Sequence, residues 1–177
     1  MLTQKRLKQL LDYNPETGVF TWLRRKQESF HNPSAGKRWK TMFEGKPAGS
    51  VGWGNYVKLT VDGRYVRAHR LAFLYMEGDF PPDQVDHING NPKDNRWANL
   101  RKATPEENSK NTKIGSTNSS GVVGVSLYAS QNKWVASICH KSKTIYLGYF
   151  DDFDDAVLAR KEAEKLYNYH PNHGRQM

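Results

Sequence analysis

The sequence predicts an α+β protein in which a strand, loop, strand and helix unit precedes a small domain made of a three-stranded antiparallel sheet plus one helix. Three observations predict this class. Residues 84–111 contain two short extended runs separated by turn-forming residues, and they end in a helix-capping sequence. Residues 124–149 contain three alternating segments with polar turns between them. An amphipathic segment with helical spacing follows at 151–167.

The N-terminal elements follow from leucine spacing and from turn residues. Three leucines at helical spacing follow Thr3, so a helix capped by Thr3 is predicted over residues 3–13. Turn-forming residues at 14–18 end this helix. Val19–Leu23 is then predicted as a strand.

A hairpin and a second helix are predicted before the central unit. Residues 56–60 and 65–68 form the hairpin, which turns at Asp62-Gly63. The helix is predicted from His69 to Glu77, with Gly78 near its end. We expect this helix to stop before the two prolines that follow it.

The central unit combines a strand, a turn-rich loop, an extended segment and a capped helix. Gln84–Ile88 is predicted as a strand, and the loop after it is rich in Asn, Gly, Pro and Asp. Trp97–Ala103 is predicted as a second strand or extended segment. A Thr-Pro-Glu-Glu sequence then supplies a capping box, so a helix should begin at about Pro105. Asn108 and Asn111 are predicted to share one face of it.

Several side chains of this unit have the chemistry of a metal-dependent nuclease site. Asp86 offers a hard carboxylate oxygen for a cation, and His87 can accept a proton from water near neutral pH. Neutral amides can complete such a site without adding negative charge beside a phosphate; they are Asn99, Asn108 and Asn111. The alternative for each residue taken singly is a turn cap, an ordinary strand residue or a loop former.

These residues resemble the HNH endonuclease superfamily, in particular its phage and intron homing enzymes with a ββα-metal (His-Me finger) unit. The resemblance implies that His87 is the general base and that Asn99 orients it and pins the loop. It also implies that Asp86 and Asn108 hold one divalent ion. The final position is Asn rather than His, and oxygen ligands favour Mg²⁺ or Mn²⁺ over Zn²⁺.

Further residues of this region are candidates for phosphate contact. Residues 66–72 resemble the His-Arg-Leu helix start that precedes the motif in the phage enzymes. His69 at that helix N-terminus is predicted either to contact phosphate or to form structural hydrogen bonds. Arg101 is predicted either to contact the scissile phosphate or to donate hydrogen bonds to the loop.

Charge and composition favour a polyanionic partner. The 177 residues have a formal net charge of +9, and residues 1–49 hold ten Lys or Arg against four Asp or Glu. We expect this segment to grip DNA in a salt-sensitive manner, chiefly through Arg24, Arg25, Lys26, Lys37, Arg38 and Lys40. Solvated loop charges are the alternative. Residues 25–47 are weakly patterned, which leaves an inserted DNA-contacting loop or a partly disordered segment.

Other features exclude several classes of protein. The mean hydropathy of −0.83 and the lack of a long apolar run predict no membrane partner. The start of the chain has no signal-peptide character, so we expect an intracellular protein, in the host cytoplasm if a phage encodes it. Cys139 is the only cysteine, which excludes an internal disulfide and a zinc site built on Cys pairs.

The segment 118–167 is predicted as a second DNA-binding module. Its strands are predicted at Gly124–Tyr128, Lys133–Cys139 and Thr144–Tyr149, and its helix at Asp151–Tyr167. Residues expected to pack between sheet and helix are Val125, Leu127, Trp134, Ala136, Ile138, Ile145 and Leu147 on the strands and Phe153, Ala156, Val157, Ala163 and Leu166 on the helix.

This segment resembles the Apetala-type (AP2/ERF) DNA-binding domain, whose exposed sheet face lies in the major groove. The resemblance implies base contacts from that face here, by Ser126, Tyr128, Ser137, Thr144 and Tyr146, with Lys133, Lys141 and Lys143 nearby. Residues 118–150 contain three Lys and no acid, whereas 151–170 contain six acids against three bases, so the helix should face away from DNA. A domain used for protein contact is the alternative.

The sequence therefore predicts four segments: a basic region at 1–50, a nuclease domain at 51–112, a linker at 113–120 and a DNA-binding domain at 121–170. The predicted function is phosphodiester hydrolysis in double-stranded DNA with one divalent ion. A DNA-binding regulator without catalysis is the second hypothesis. Whether one copy or two copies act is left open.

Overall fold

The computed structural model describes residues 1–175, and the chain packs as two units, Met1–Lys102 and a second unit that begins at Ala103. The predicted boundaries at residues 50, 112 and 120 stay predictions. Within the described residues, no helix has both the length and the apolar character needed to cross a membrane.

The first unit opens with a short helix and a hairpin. Helix α1 spans Gln4–Leu10, and Thr3 caps it by accepting a hydrogen bond from the Arg6 N–H at 3.2 Å. Strand β1, Leu11–Asn14, pairs antiparallel with β2, Val19–Trp22. The prediction that the helix continues to residue 13 is wrong, because the chain switches there to alternate burial along a strand.

Residues 25–47 contain regular structure, so the prediction of a loop or a partly disordered segment is wrong, whereas the predicted DNA contact stays a prediction. They contain helix α2, Pro33–Phe43, which begins after Asn32. The Asn32 side chain accepts a hydrogen bond from the Ala35 N–H at 2.7 Å, and proline takes the first helical position. The Trp39 ring packs edge-on against Trp22, with centroids 6.1 Å apart. A few aromatic contacts therefore hold a helix whose sequence is mostly polar.

The predicted hairpin and helix follow, and a short strand that was not predicted extends the hairpin to a three-stranded sheet. The sheet order is β3 (Ser50–Val51), β4 (Val57–Val61) and β5 (Arg64–Arg67), all antiparallel. The turn between β4 and β5 has positive φ at Asp62 and Gly63, +47° and +77°, which suits the tight turn predicted there. Helix α3, Ala68–Glu77, ends at Gly78 with φ +96°. Its buried face joins α1, β1, β2 and β4 in one apolar core.

Two further strands carry the central motif. Strands β6, Gln84–His87, and β7, Leu100–Ala103, form a two-stranded sheet. The extended segment predicted from residue 97 begins instead with a 3-10 turn at Trp97–Asn99. The Ile88 N–H donates to the Asn99 carbonyl at 2.9 Å, which closes the loop at the strand ends.

The second unit begins with helix α4, Pro105–Ser109, and its capping box forms as predicted. The Glu107 N–H donates to Thr104 Oγ1 at 3.2 Å, and the Thr104 N–H donates to Glu107 Oε2 at 2.8 Å. The helix is only five residues long, so Asn111 lies beyond its end. The prediction that Asn108 and Asn111 share a helical face is therefore wrong.

A three-stranded antiparallel sheet and one helix complete the second unit, as predicted. The strand order is β10 (Lys143–Phe150), β9 (Lys133–His140) and β8 (Val125–Tyr128), and helix α5 spans Phe153–Leu166. Val125, Ala136 and Ala156 are the buried centre of the sheet and helix core.

Two residues assigned to this core lie outside it, and one charged residue lies inside. Leu127 is 50% exposed and Leu166 is 73% exposed, so their predicted packing is wrong. Arg160 on α5 is buried, and its Nη1 donates to the Ser137 carbonyl at 2.5 Å. Its Nε pairs with Glu164 at 3.0 Å, which compensates for the burial of the charge.

Candidate active site

The Asp86 and His87 side chains lie at the end of β6, and both are about 95% buried, with 5% of each exposed. The strand ends directly after them, because the Gly90 N–H turns back and donates to the His87 carbonyl at 2.6 Å. A carboxylate and an imidazole are thus held at the mouth of a turn-rich loop. Buried polar groups of this kind need partners, and those partners define the site.

Asp86 is paired with Arg101 on the neighbouring strand β7. The Arg101 Nε and Nη2 atoms lie 2.8 and 2.7 Å from Asp86 Oδ2. The guanidinium supplies the counter-charge that a buried carboxylate requires. The Arg101 side chain remains 38% exposed, so one part of it faces solvent while the other holds Asp86.

His87 lies among two aromatic rings and a carboxamide. Its ring centroid is 5.1 Å from that of His69 and 6.0 Å from that of Tyr56. The Nε2 atom lies 3.4 Å from Oδ1 of Asn95. Burial lowers the pKa of His87 below its usual value, an effect that exceeds the opposing influence of Asn95 and Asp86. The imidazole is therefore neutral at pH 7 and able to accept a proton.

His69 lies behind His87 rather than at the surface. It is 4% exposed, and its ring meets Tyr56 edge-on, with centroids 5.3 Å apart. Burial, followed by the charges of His87 and Arg67, lowers the pKa of His69 to about 3. This position favours the structural alternative for His69 over phosphate contact.

Asn99 fastens the loop. Its Oδ1 accepts from the Asn89 N–H at 2.9 Å, and its Nδ2 donates to Asn89 Oδ1 at 3.0 Å and to the Asp94 carbonyl at 2.8 Å. Both N–H donors of the carboxamide are used by these bonds, so neither is left for the imidazole that the resemblance implied Asn99 would orient. Asn95 makes that contact instead. Sequence reasoning missed Asn95 because, among several Asn residues in a loop, nothing but burial distinguishes it.

The N-terminal hairpin supports this loop from outside. The Tyr13 hydroxyl donates to the Asn95 carbonyl at 2.6 Å, and the Trp97 N–H donates to the Pro15 carbonyl at 2.9 Å. Gly18, with φ +73°, approaches so closely that an added Cβ would lie 2.3 Å from the carbonyl carbon of Asn95. No sequence signal linked these two segments, which are about eighty residues apart.

Asn108, the other predicted metal ligand, lies on α4 in the second unit. The chain just after this helix is bonded to the last described segment. The His170 and Gly174 N–H groups donate to the carbonyls of Lys110 and Thr112 at 3.2 and 2.9 Å, and the Ile114 N–H donates to the Arg175 carbonyl at 3.0 Å. The beginning of the predicted linker is thus anchored within the second unit.

Asn111 belongs to this anchor. It is 3% exposed, and Arg175 Nη1 donates to its carbonyl and to its Oδ1 at 2.7 and 3.0 Å. This burial argues against the predicted DNA contact. The residue instead stabilises the packing of the C-terminal segment.

The basic residues predicted to contact DNA in the first unit are mostly on the surface. Helix α2 presents three of them, and two others flank Arg25; all five are exposed, namely Arg24, Lys26, Lys37, Arg38 and Lys40. Arg25 differs because it is partly buried against two indole rings.

In the second unit, the sheet face opposite α5 carries the predicted reading residues. Tyr146 is 72% exposed and Tyr128 is 46% exposed, and Ser126 and Thr144 are exposed as well. Ser137 is half-buried. Lys141 and Lys143 are exposed, whereas Lys133 pairs with Asp151 at 3.0 Å.

A β-bulge adds one residue to this face. The pairing of β10 with β9 shifts between Tyr146 and Gly148, which reverses the alternation beyond that point. Phe150 therefore packs with the core, and Tyr149 lies beside Tyr128 with ring centroids 6.0 Å apart. Simple alternation could not have included Tyr149 among the exposed residues.

Comparison with known proteins assigns the central segment to a class. Residues 66–110 match the model of the HNH endonuclease family, so the chain contains an HNH endonuclease domain. This stretch covers α3, β6, the loop, β7 and α4.

Two viral relatives share part of the sequence. The chain is 39% identical over 78 residues to Protein 3.8 of Escherichia phage T7, which covers 44% of this chain and 64% of that protein. It is 41% identical over 105 residues to the uncharacterized HNH endonuclease L560 of Acanthamoeba polyphaga mimivirus, covering 58% of this chain and 50% of that protein. The chain thus spans less than two-thirds of either relative.

One solved structure is also similar, that of DNA binding and cleavage by the HNH homing endonuclease I-HmuI. The identity is 22% and the TM-score is 0.40, over 58% of this chain and 51% of the other.

Proposed function

We propose that this protein is a metal-dependent DNA endonuclease of the HNH homing type. The observation that carries the proposal is the buried Asp86 and His87 pair at the end of β6, with the imidazole neutral and the loop beside it fixed by hydrogen bonds. The family match of residues 66–110 supports the same class. The reaction is hydrolysis of a phosphodiester bond.

His87 acts as the general base. A neutral imidazole accepts a proton from the attacking water, and its lowered pKa keeps it in that state at neutral pH. Asn95 and His69 limit the rotation of the ring through their contacts with it. Asn99 contributes by holding the loop that positions these groups.

Asp86 is the proposed ligand of one divalent ion from the first unit, and the role of Asn108 as a second ligand stays a prediction. A carboxylate and a carboxamide oxygen suit Mg²⁺ or Mn²⁺, which retain several waters in protein sites. Among residues 1–175 no three His, Cys, Asp or Glu side chains gather as metal ligands, so amide oxygens and water must complete the set. When held by Asp86, such an ion would supply charge stabilisation for phosphodiester hydrolysis.

A DNA-binding regulator without catalysis is the second candidate. The ion pair of Arg101 with Asp86 favours it, because a guanidinium at 2.7 Å already satisfies the carboxylate that the ion needs. For the endonuclease, Arg101 must share Asp86 with the ion or turn toward the substrate phosphate. The two candidates therefore differ in whether Asp86 binds a cation.

The sheet of the second unit is proposed to add DNA contacts in the manner of an AP2/ERF-like domain. Its tyrosine-bearing face and its surface lysines support this role. The acidic helix α5 packs on the other side of the sheet. Double-stranded DNA is the proposed partner of both units.

A plasmid-nicking assay tests the proposal. The natural chain, His87→Ala and the control His31→Ala, which alters an exposed histidine, are compared with Mg²⁺ or Mn²⁺ present. We expect loss of the base to slow cleavage by about 10²–10⁴-fold and the control to cleave normally. Equal cleavage by the natural chain and His87→Ala would exclude the proposed base.

Manganese binding separates the two candidates independently of cleavage. Paramagnetic resonance of Mn²⁺ with the natural chain and with Asp86→Asn measures whether the carboxylate holds the ion. The endonuclease requires weaker binding by the variant. The regulator would be supported by two results together. Neither chain would cleave at a salt concentration that permits DNA binding, and Asp86→Asn would leave the affinity for Mn²⁺ unchanged.

A further inference from the structure

A groove in the first unit lies outside the proposed active site and combines aromatic walls with cationic side chains. It runs between α2 and the strands β2 and β4. Its lining includes Trp22, Arg25, Trp39, Phe43 and Lys58, together with the hydroxyl residues Ser50 and Thr60. All of these residues belong to Met1–Lys102.

Arg25 has its position fixed by two indole rings. The guanidinium carbon lies 4.7 Å from the Trp39 ring centroid and 5.1 Å from that of Trp22. Trp39 in turn packs on Phe43, with centroids 5.9 Å apart. Cation–π contact of this kind holds an arginine in place without using its N–H donors.

One N–H donor of Arg25 is not satisfied by the described part of the protein. Its Nε is buried and has no hydrogen-bond partner among the described residues. Burial lowers the pKa of Arg25, an effect that exceeds the opposing influence of the Asp62 charge. A buried N–H without a partner favours an acceptor from outside the chain.

The acid in the lining of the groove is not hydrogen-bonded to this donor. Asp62 lines the same groove, but Arg6 holds its carboxylate through two hydrogen bonds of 2.9 and 3.0 Å. Lys58 adds a second positive charge, and its Nζ lies 5.3 Å from the Tyr65 ring centroid. The groove therefore keeps an excess of positive charge beside two hydroxyl groups.

We propose that this groove is a binding site for one backbone phosphate of a DNA strand, held by the Arg25 guanidinium and the Lys58 ammonium. A phosphate offers the anionic oxygens that both cations need, and a guanidinium fork fits two of them. The hydroxyls of Ser50 and Thr60 are suitable further donors. The aromatic walls accommodate the adjoining sugar or base.

Salt dependence of DNA binding, measured by fluorescence anisotropy in EDTA, tests this site. A lost phosphate contact reduces the slope of log K against log salt by about 0.9, which lowers affinity about eightfold at 0.1 M salt relative to 1 M. We expect this change for Arg25→Gln and for Lys58→Gln. Lys5→Gln, which removes an exposed charge elsewhere in the same unit, serves as the control and should have a smaller effect.

Two duplexes of equal length, one with and one without G·C pairs, distinguish phosphate binding from base reading. The proposal requires the same loss on both, and a loss confined to the G·C-containing duplex would overturn it. Thermal unfolding checks that Arg25→Gln is folded, and Lys58→Gln, at an exposed position of β4, carries the test if it is not.

The inference rests on the proposed function only in taking DNA as the ligand. Failure of the natural chain to bind DNA would remove the proposed function. Normal DNA binding with unchanged slopes in both groove variants would remove this site alone.

Discussion

The loop between β6 and β7 and the outer sheet face of the second unit are both rich in polar side chains, but they differ in exposure. In the loop, Asn95 and Asn99 are 3% and 7% exposed, and their side chains donate hydrogen bonds to backbone carbonyls of the protein. On the sheet face, Tyr146 is 72% exposed. Residues that position a reacting group must be fixed by the fold, whereas residues that contact a partner must remain accessible.

This difference implies that the same kind of substitution has opposite consequences in the two regions. Loss of a loop residue should reduce stability and cleavage together, because a buried partner is left unsatisfied. Loss of a sheet-face residue should reduce DNA binding and leave stability unchanged.

Asn99→Ala should have the largest effect. It removes three hydrogen bonds from a buried loop, and unsatisfied partners of this kind cost about 1–3 kcal/mol each, with partial relief from water. We expect a loss of about 3 kcal/mol in the free energy of unfolding and at least about 100-fold in cleavage, since misplacement of reacting groups slows catalysis by that order.

Urea unfolding and plasmid nicking measure these losses. Asn91→Ala is the control, because its side chain is exposed and accepts a single hydrogen bond, from the Lys93 N–H at 3.1 Å. If both variants were equally stable, the loop would not be a structural network and the contrast with the sheet face would fail.

Gly18→Ala tests whether the N-terminal hairpin supports the loop. The added methyl would meet the Asn95 backbone at 2.3 Å in addition to the unfavourable φ of +73°. We expect a loss of about 2–3 kcal/mol, of which about 1–2 kcal/mol comes from the backbone conformation alone. Cleavage should fall because the loop must move.

Gly45→Ala separates the stability cost of the close contact at Gly18 from the cost of a positive φ. Gly45 has φ +72°, and no atom of residues 1–175 lies within 4 Å of an added Cβ apart from its own chain neighbours. Comparison of the two variants by thermal unfolding gives the contribution of the hairpin contact. Identical losses would show that the hairpin does not brace the loop.

The buried histidines predict a pH dependence of stability. The pKa of His69 in the folded protein is about 3, whereas an unfolded histidine has a pKa of about 6.5. Between these values the unfolded chain binds more protons than the folded chain. The contribution of His69 to the free energy of unfolding is therefore fully present above pH 6.5 and falls as the pH decreases. The loss for His69 is about 2 kcal/mol at pH 5.

Denaturant unfolding at pH 7.5 and pH 5 measures this loss. His69→Phe keeps a ring at the position but cannot bind a proton, so its stability should fall less on acidification. The pKa of His87 is lowered as well, so the cleavage activity of the protein should persist as the pH falls through 6.5. A rate that drops at the usual histidine pKa would contradict a buried, neutral base.

Sequence patterns predicted most elements because local signals determine them. The capping box at Thr104, the Asp62-Gly63 turn and the glycine after α3 each fix a boundary through backbone chemistry alone. The strand at Leu11–Asn14 was missed because its pairing with β2 overrides a helical leucine pattern. Helix α2 was missed because three aromatic contacts with Trp22 and Phe30, not a continuous apolar stripe, hold it.

The residues of the candidate site also fall into two groups, those that the sequence identifies and those that only the fold brings together. Asp86, His87 and Asn99 could be selected from residue types and spacing, because the chemistry needs those groups. Asn95, His69 and the Arg101 pairing depend on which side chains meet across β6, β7 and α3. Such meetings are tertiary, and no single-sequence pattern encodes them.

Tyr146→Ala should have the smallest effect on stability and thereby completes the comparison. Its side chain is 72% exposed, so the free energy of unfolding should change by no more than about 0.5 kcal/mol. If the face contacts DNA, loss of an aromatic contact should weaken binding about fivefold, equivalent to about 1 kcal/mol. Leu158→Ala, on helix α5 and 59% exposed, is the control and should bind normally. Equal DNA binding by both variants would show that the sheet face does not contact DNA. The predicted role of the loop between β6 and β7 would not be affected by that result.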